Sequence, residues 1–336
     1  MGDSENIISA STFQRGTTQA SAELHLTGGL RAPMQQDHMW GLHPVLVKGS
    51  PSQLNPLPID KIYQMAEAVG LLVFGGDDHS GLETLLTSRI WTPLDEGGTG
   101  GMQPADAWAA IAKNAERDND PEYGALAHHI SFSLVAAGIR LRDASDCYHM
   151  QLIAAIHGKR DAGRRFANIP IKDLHLAFHS VLSELASARD YFAGALARKL
   201  GAPPRIESMS RFEEWVSASS RADLRKLPVV REMLDAYDEA SSNPWLHQLT
   251  EYRNTFLHRR PLGSQDGARF LRYDEIEKDG ITYPRIEMPL GESDPSAPGK
   301  DALTRFIELY RAMTKLMRLA ADHAPYPASL PSFVVR

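Results

Sequence analysis

Residues 121–157 read PEYGALAHHISFSLVAAGIRLRDASDCYHMQLIAAIH, and the spacing of apolar side chains in this stretch decides the expected fold class. Tyr123, Leu126, Ile130, Leu134, Ala137, Leu141, Ala144, Tyr148, Leu152 and Ala155 recur every three or four residues, as the buried face of one long helix does. Gly138 within the stripe costs about 1 kcal/mol relative to Ala and allows a bend. Downstream, Pro170 suits the first position of a helix. Leu174, Phe178, Val181, Leu185, Ala188, Phe192, Ala195 and Leu200 then form a second stripe, which Gly201 and Pro203-Pro204 end. A helix of roughly 30 residues spans about 45 Å and needs packing partners along its length. The spacing predicts them at about 210–217, 229–240, 243–259 and 300–323, the last with Leu303, Phe306, Tyr310, Met313, Met317 and Ala320 on one face.

Working outward, a β-hairpin is expected at about 268–288, because β-type residues flank Asp279-Gly280, a strong two-residue hairpin turn. Pro284 has no N–H to give to a ladder, so its strand is expected at a sheet edge. Toward the N-terminus, Gly28-Gly29, Pro33, Gly41, Pro44, Gly49, Pro51, Pro56 and Pro58 punctuate the chain and predict an irregular arm. Short helices are expected over 60–72 and 80–90, with Gly75 to Asp78 as a polar turn between them. The expected fold is all-α: a helical bundle over 103–325 with a small hairpin inserted before the last helix, preceded by an irregular region over 1–102.

Composition sets limits on function. The chain has 336 residues, 36 Lys+Arg against 42 Asp+Glu, a formal net charge of −6 and a pI near 6.1. This balance excludes a broad positive field, so nucleic-acid binding would require a local basic patch. Cys147 is the single cysteine. An intramolecular disulfide, a Cys-rich zinc site and a CxxC redox motif are thereby excluded, which fits a reducing compartment. The N-terminus lacks the apolar run of a signal peptide, and no apolar stretch of membrane-spanning length occurs. A cytoplasmic location without membrane insertion is expected.

The helix that begins at Asn243-Pro244 carries the most distinctive chemistry. It continues WLHQLTEYRNTFLHRRPLG, with Leu246, Leu249, Arg253, Phe256 and Leu257 on its inward face. A guanidinium in an apolar stripe must be paired, face a wet cleft or sit at an interface. Asn254 and His258 are four residues apart and share a face. Arg253 lies five before the histidine. Its long stem, together with an unwinding of the last turn ahead of Pro261, brings the two within reach.

The segment Arg253-Asn254-Thr255-Phe256-Leu257-His258 resembles the signature of the HEPN superfamily: Arg, a polar residue, three more residues and His, near the end of a helix in a helical bundle. The resemblance covers residues 253–258 as a motif and about 120–325 as architecture, leaving the first hundred residues outside it. It implies a metal-independent endoribonuclease of toxin–antitoxin or defence type, acting without a cofactor on RNA. It also implies a homodimer that brings two motifs to one cleft, and an antitoxin protein as a partner. His258 can accept the 2′-hydroxyl proton near neutral pH. Arg253 can bind the phosphate in bidentate fashion, and Asn254 would orient one or the other. Arg259 and Arg260 extend the positive surface. Lys159, Arg160, Arg164 and Arg165 are a candidate clamp for the RNA backbone, or a solvated loop.

Other readings stay open at this level. Arg253 can be a structural cation pairing with Glu184 or Asp190, with His258 satisfying carbonyls at the helix end. The same fold can serve as a noncatalytic module that binds a nucleotide or a protein. A helical-bundle metalloprotein is a further alternative, built on His175 and His179 with Asp146 and His149, although the HExxH pattern is absent. Gly97 to Gly101 reads as a loop lacking the Lys-Ser/Thr end of a phosphate-binding loop. Asp77-Asp78-His79 reads as part of the polar turn, and His128-His129 as adjacent residues pointing apart.

Overall fold

Short strands fill much of the first third of the chain, where an irregular arm and a second helix were expected, while the helix expected over 60–72 forms at Ile59–Ala68. The structure, a computed structural model, describes residues 11–12, 21–80, 88–94, 102–258, 264–265, 268–290 and 301–329. In chain order the elements are β1 (Ser11–Thr12), β2 (Ala22–Leu26), β3 (Arg31–Pro33), β4 (Val45–Val47), β5 (Ser50–Gln53), α1 (Ile59–Ala68), β6 (Val73–Ser80), β7 (Ser88–Pro93), α2 (Pro104–Arg117) and α3 (Pro121–His157). They continue with β8 (Arg165–Phe166), α4 (Ile171–Lys199), α5 (Met209–Val216), α6 (Pro228–Tyr237), α7 (Trp245–His258), β9 (Ser264–Gln265), β10 (Ala268–Arg269), β11 (Leu271–Lys278), β12 (Ile281–Glu287) and α8 (Ala302–Asp322).

The chain is therefore mixed α/β, not an all-α bundle. One antiparallel sheet has the order β1-β5-β4-β12-β11-β8, another the order β3-β2-β6-β7, and β9 pairs with β10. The stretch expected to turn at Gly75 to Asp78 runs extended through the middle of β6, and residues 80 and 88–90 of the expected second helix are strand. Two compact units result. One comprises residues 1–99, 139–178 and 261–307, the other 100–138, 179–260 and 308–336.

The first unit contains both large sheets. The β11–β12 hairpin forms as the sequence predicts, with Lys278 opposite Ile281 and positive φ at Asp279 (53°) and Gly280 (74°), the backbone of a type I′ turn. Cross-strand pairs Arg272–Glu287 and Asp274–Arg285 stand opposite one another and form ion pairs. β12 is not the edge that Pro284 suggested, since it lies between β11 and β4. Thr282 is opposite Leu46, which carries Pro284 opposite residue 44, one position outside β4, where the missing N–H costs no ladder bond. Tyr148 anchors the core of this unit. Its ring meets Phe178 edge-on at 6.1 Å, and its hydroxyl donates to Asp301 at 2.7 Å. Asp301 also accepts the N–H of Thr304 at 3.0 Å and so caps α8.

Helices make up the regular structure described in the second unit. Trp108 of α2 is almost fully buried and donates its indole N–H to the Met317 carbonyl of α8 at 3.0 Å. Asn114 holds the carbonyls of Pro327 and Ser329 at 2.8 and 2.9 Å. α7 buries Trp245, Leu246, Leu249 and Phe256, and its rings Tyr252 and Phe256 stack 5.8 Å apart. Among the described residues, no helix is long and apolar enough to cross a membrane.

Candidate functional site

The amphipathic pattern of residues 245–258 forms α7 as expected, and Arg253 and Asn254 sit half-buried on it. His258 is the helix's last residue. Its side chain, and Arg259 and Arg260, lie outside the described residues. Among the described residues Arg253 makes no ion pair with Glu184 or Asp190, the partners named for a structural role. Arg189 is the anchoring cation instead. Only 7% exposed, it donates to Asp190 at 2.9 and 3.1 Å and to Thr250 of α7 at 2.6 Å.

The candidate RNA clamp does not belong to the unit that carries this motif. Lys159, Arg160 and Arg164 lie in the connection between α3 and β8, and Arg165 begins β8, all within the sheet-bearing unit. Arg160 stacks over Phe166 at 4.4 Å, and Arg165 over Phe270 at 4.6 Å. The exposed Arg164 is 3.9 Å from Asp161. Lys159, Arg160 and Arg164 are thus exposed in a connecting loop, and Arg165 lies in the edge strand of a sheet.

The histidine pair proposed for a metal is divided from its partners. His175 is buried. Asp146 is bound to two arginines, and His149 holds the Gly29 carbonyl through Nδ1 at 2.8 Å. Among the described residues no group of three or more His, Cys, Asp or Glu side chains is arranged to hold a metal ion.

Asp146 and His149 belong to an ionic cluster that the sequence reading missed. In the four-stranded sheet Glu23 stands opposite Asp77, Asp77 opposite Trp91, His25 opposite Arg31 and His79 opposite Arg89. The two-residue alternation of strands therefore puts Glu23, His25, Arg31, Asp77, Arg89 and Trp91 on one face, while Ala22, Leu24 and Leu26 take the other. α3 adds Asp146 and His149 to this polar face. Gly75 is opposite His25, and a Cβ there would run into the Trp91 indole, so the glycine makes room for the ring.

The contacts are dense. Arg89 donates to Asp77 at 2.5 Å and in bidentate fashion to Asp146 at 2.6 and 2.9 Å. Arg31, 2% exposed, donates to Asp146 at 2.7 Å. His25 Nε2 lies 2.9 Å from Asp77, and the His43 ring meets His149 edge-on at 5.4 Å. Burial sets the protonation states. Desolvation, then the charge of Arg31, lowers His25 to about 3; desolvation, then His149 and Arg31, lowers His43 to about 3. Desolvation and Arg31 likewise take His149 to about 4. Desolvation raises Glu23. It acts on Asp77 and Asp146 too, but hydrogen bonds and charges from their basic partners outweigh it and hold both carboxyls low. Burial, with Asp146 beside it, pushes the Cys147 thiol up to about 11, away from nucleophilic use near neutral pH.

The arrangement thus sets two arginines against Asp77 and Asp146, with Glu23, raised by burial, on the same face amid three neutral imidazoles. Its charges are answered within the cluster, which suits it to fixing the sheet to α3. The signal for it was the alternation in Ala22-Glu23-Leu24-His25-Leu26, whose polar positions mark one strand face. Comparison of the chain with protein-family models, with curated proteins and with solved structures finds no match.

Proposed function

We propose that the protein is a metal-independent endoribonuclease of HEPN type whose site is Arg253, Asn254 and His258 on α7. The observation that carries this reading is the half-buried Arg253 on α7, which makes no ion pair among the described residues, while the Asp190 carboxylate is bound by Arg189. A cation on a helix that ends in a histidine five residues later carries the minimum equipment for RNA cleavage. His258 takes the proton of a ribose 2′-hydroxyl, whose oxygen attacks the adjacent phosphorus. The P–O5′ bond breaks and the 5′-oxygen leaves with a proton. Arg253 neutralises the phosphoryl oxygens as their charge grows, and Asn254 orients one of these groups. One chain supplies one imidazole, so a homodimer supplies the acid for the leaving oxygen from the second copy. A toxin or defence role, with an antitoxin protein as partner, follows from the same resemblance.

The test is cleavage of single-stranded RNA by the full chain in excess EDTA. His258→Ala and Arg253→Ala should each lower the rate by about a hundredfold or more, with unchanged circular dichroism. Equal cleavage by wild type and His258→Ala, or activity that EDTA abolishes, overturns the proposal.

A further inference from the structure

The helical unit contains a half-open cavity of about 540 Å³ between α3, α4 and the segment after α4. That volume lies in the range of small-molecule sites. Its floor is apolar and small, with Leu126, Gly194, Ala197 and Ile206 among its residues. Tyr191 forms an aromatic wall, backed by His129, whose ring stacks on it at 4.8 Å and 23°. The ionisable groups of the lining, besides His129 and Tyr191, are Glu122, Asp190, Glu207 and Arg198.

These charges are unequally answered. Arg198 is already held by Asp120 at 2.8 Å and by Glu122. Asp190 is matched by Arg189 at 2.9 Å and by the Met209 N–H at 3.1 Å. Glu207 is exposed and has no ion-pair partner among the described residues. The lining therefore keeps an excess of negative charge beside an aromatic face and an apolar floor.

We propose that this cavity binds a small organic cation, an apolar or aromatic body carrying an ammonium head. The body covers the floor, and the head lies between the Glu207 carboxylate and the Tyr191 ring, where ionic and cation–π attraction add. Anionic ligands such as nucleotides are opposed by the same carboxylates. The site is separate from the α7 motif and does not depend on the ribonuclease reading.

A charge series on one carbon skeleton tests it. Titration calorimetry of the full chain at pH 8, where an ordinary imidazole is neutral, compares 2-phenylethylamine, 2-phenylethanol and phenylacetate, with adenosine as a neutral planar competitor. The amine should saturate one site and bind about three- to fivefold more tightly than the alcohol, with phenylacetate weakest. Glu207→Gln, at an exposed position, should erase the amine's advantage and leave the alcohol unchanged. Ala125→Phe, on the exposed rim, should block both. Equal binding of amine and alcohol, no saturable amine binding, preference for adenosine, or indifference to Ala125→Phe overturns the proposal.

Discussion

Asp146→Ala tests whether the ionic cluster holds the sheet-bearing unit together. In the folded protein Asp146 accepts from Arg31 at 2.7 Å and from Arg89 at 2.6 and 2.9 Å. Truncating it affects the two arginines differently. Arg89 is 31% exposed and keeps Asp77. Arg31 is 2% exposed and loses the carboxylate it donates to. Removing one partner of a buried ion pair typically costs about 3–5 kcal/mol, because the other charge is left desolvated. The lower end applies here. Glu23 still faces Arg31, and losing the repulsion from Asp146 makes Glu23 easier to ionise, which offsets part of the cost. For a unit of this size, about 3 kcal/mol lowers the melting temperature by about 6–12 °C. Scanning calorimetry reads that shift. Arg31→Met with Asp146→Leu should lose less than Asp146→Ala alone, because an apolar pair leaves no orphaned charge. A melting temperature for Asp146→Ala within about 2 °C of wild type, or a double variant less stable than the single, refutes the reasoning.

Two further outcomes follow from the same unit. Stability should fall as pH drops from 7 to 5, because His25 and His43, at about 3, and His149, at about 4, refuse protons that their unfolded counterparts bind below about 6.5. Each imidazole contributes up to about 1.4 kcal/mol per pH unit in that window, while Glu23, raised by burial, acts in the opposite sense. His149→Gln should flatten the dependence of melting temperature on pH, and an unchanged slope speaks against it. Gly29→Ala should destabilise by about 2 kcal/mol or more, since its φ is +93° and an added Cβ would lie 2.8 Å from the backbone oxygen of Tyr148, which cannot swing aside. Chemical denaturation measures that loss, and wild-type stability would show that the turn adapts.

The helices were legible because each keeps a continuous apolar stripe. α3 and α4 fall almost where the spacing of Tyr123 to Ala155 and of Leu174 to Leu200 placed them. The hairpin was legible because Asp279-Gly280 imposes its own backbone. The remaining strands were hidden by their chemistry. β6 reads Val73-Phe74-Gly75-Gly76-Asp77-Asp78-His79-Ser80, and its buried polar face erases the apolar alternation by which a strand is recognised. Gly75 is there to admit Trp91, yet in sequence it looks like turn punctuation. β3 and β5 are shorter than a helical turn pattern needs and carry Pro33 and Pro51, which were read as breaks. Within the candidate site, the position of Arg253 on α7 was readable from spacing. Whether it pairs with Asp190 was not, because spacing does not show that Arg189 donates to that carboxylate and to Thr250.

The denser collection of ionisable groups is the less suitable one for acid–base chemistry. A general base works best when its pKa is near the operating pH. Burial and Arg31 take the three histidines of the sheet cluster to about 3 and 4, so at neutral pH they have no proton to give. As bases they are weak for the same reason, and Arg31, Arg89, Asp77 and Asp146 are occupied with one another. An imidazole at the C-terminal end of a helix has the opposite surroundings, because the free carbonyls and the macrodipole favour its protonated form. His258 occupies that position on α7. The proposed ribonuclease uses His258 as its base, which makes the pH–rate profile of RNA cleavage diagnostic. A histidine base that must be unprotonated gives a rising limb in the ordinary histidine range, near pH 6.5. A limb near pH 3–4 would transfer the chemistry to the sheet cluster and remove α7 from the mechanism.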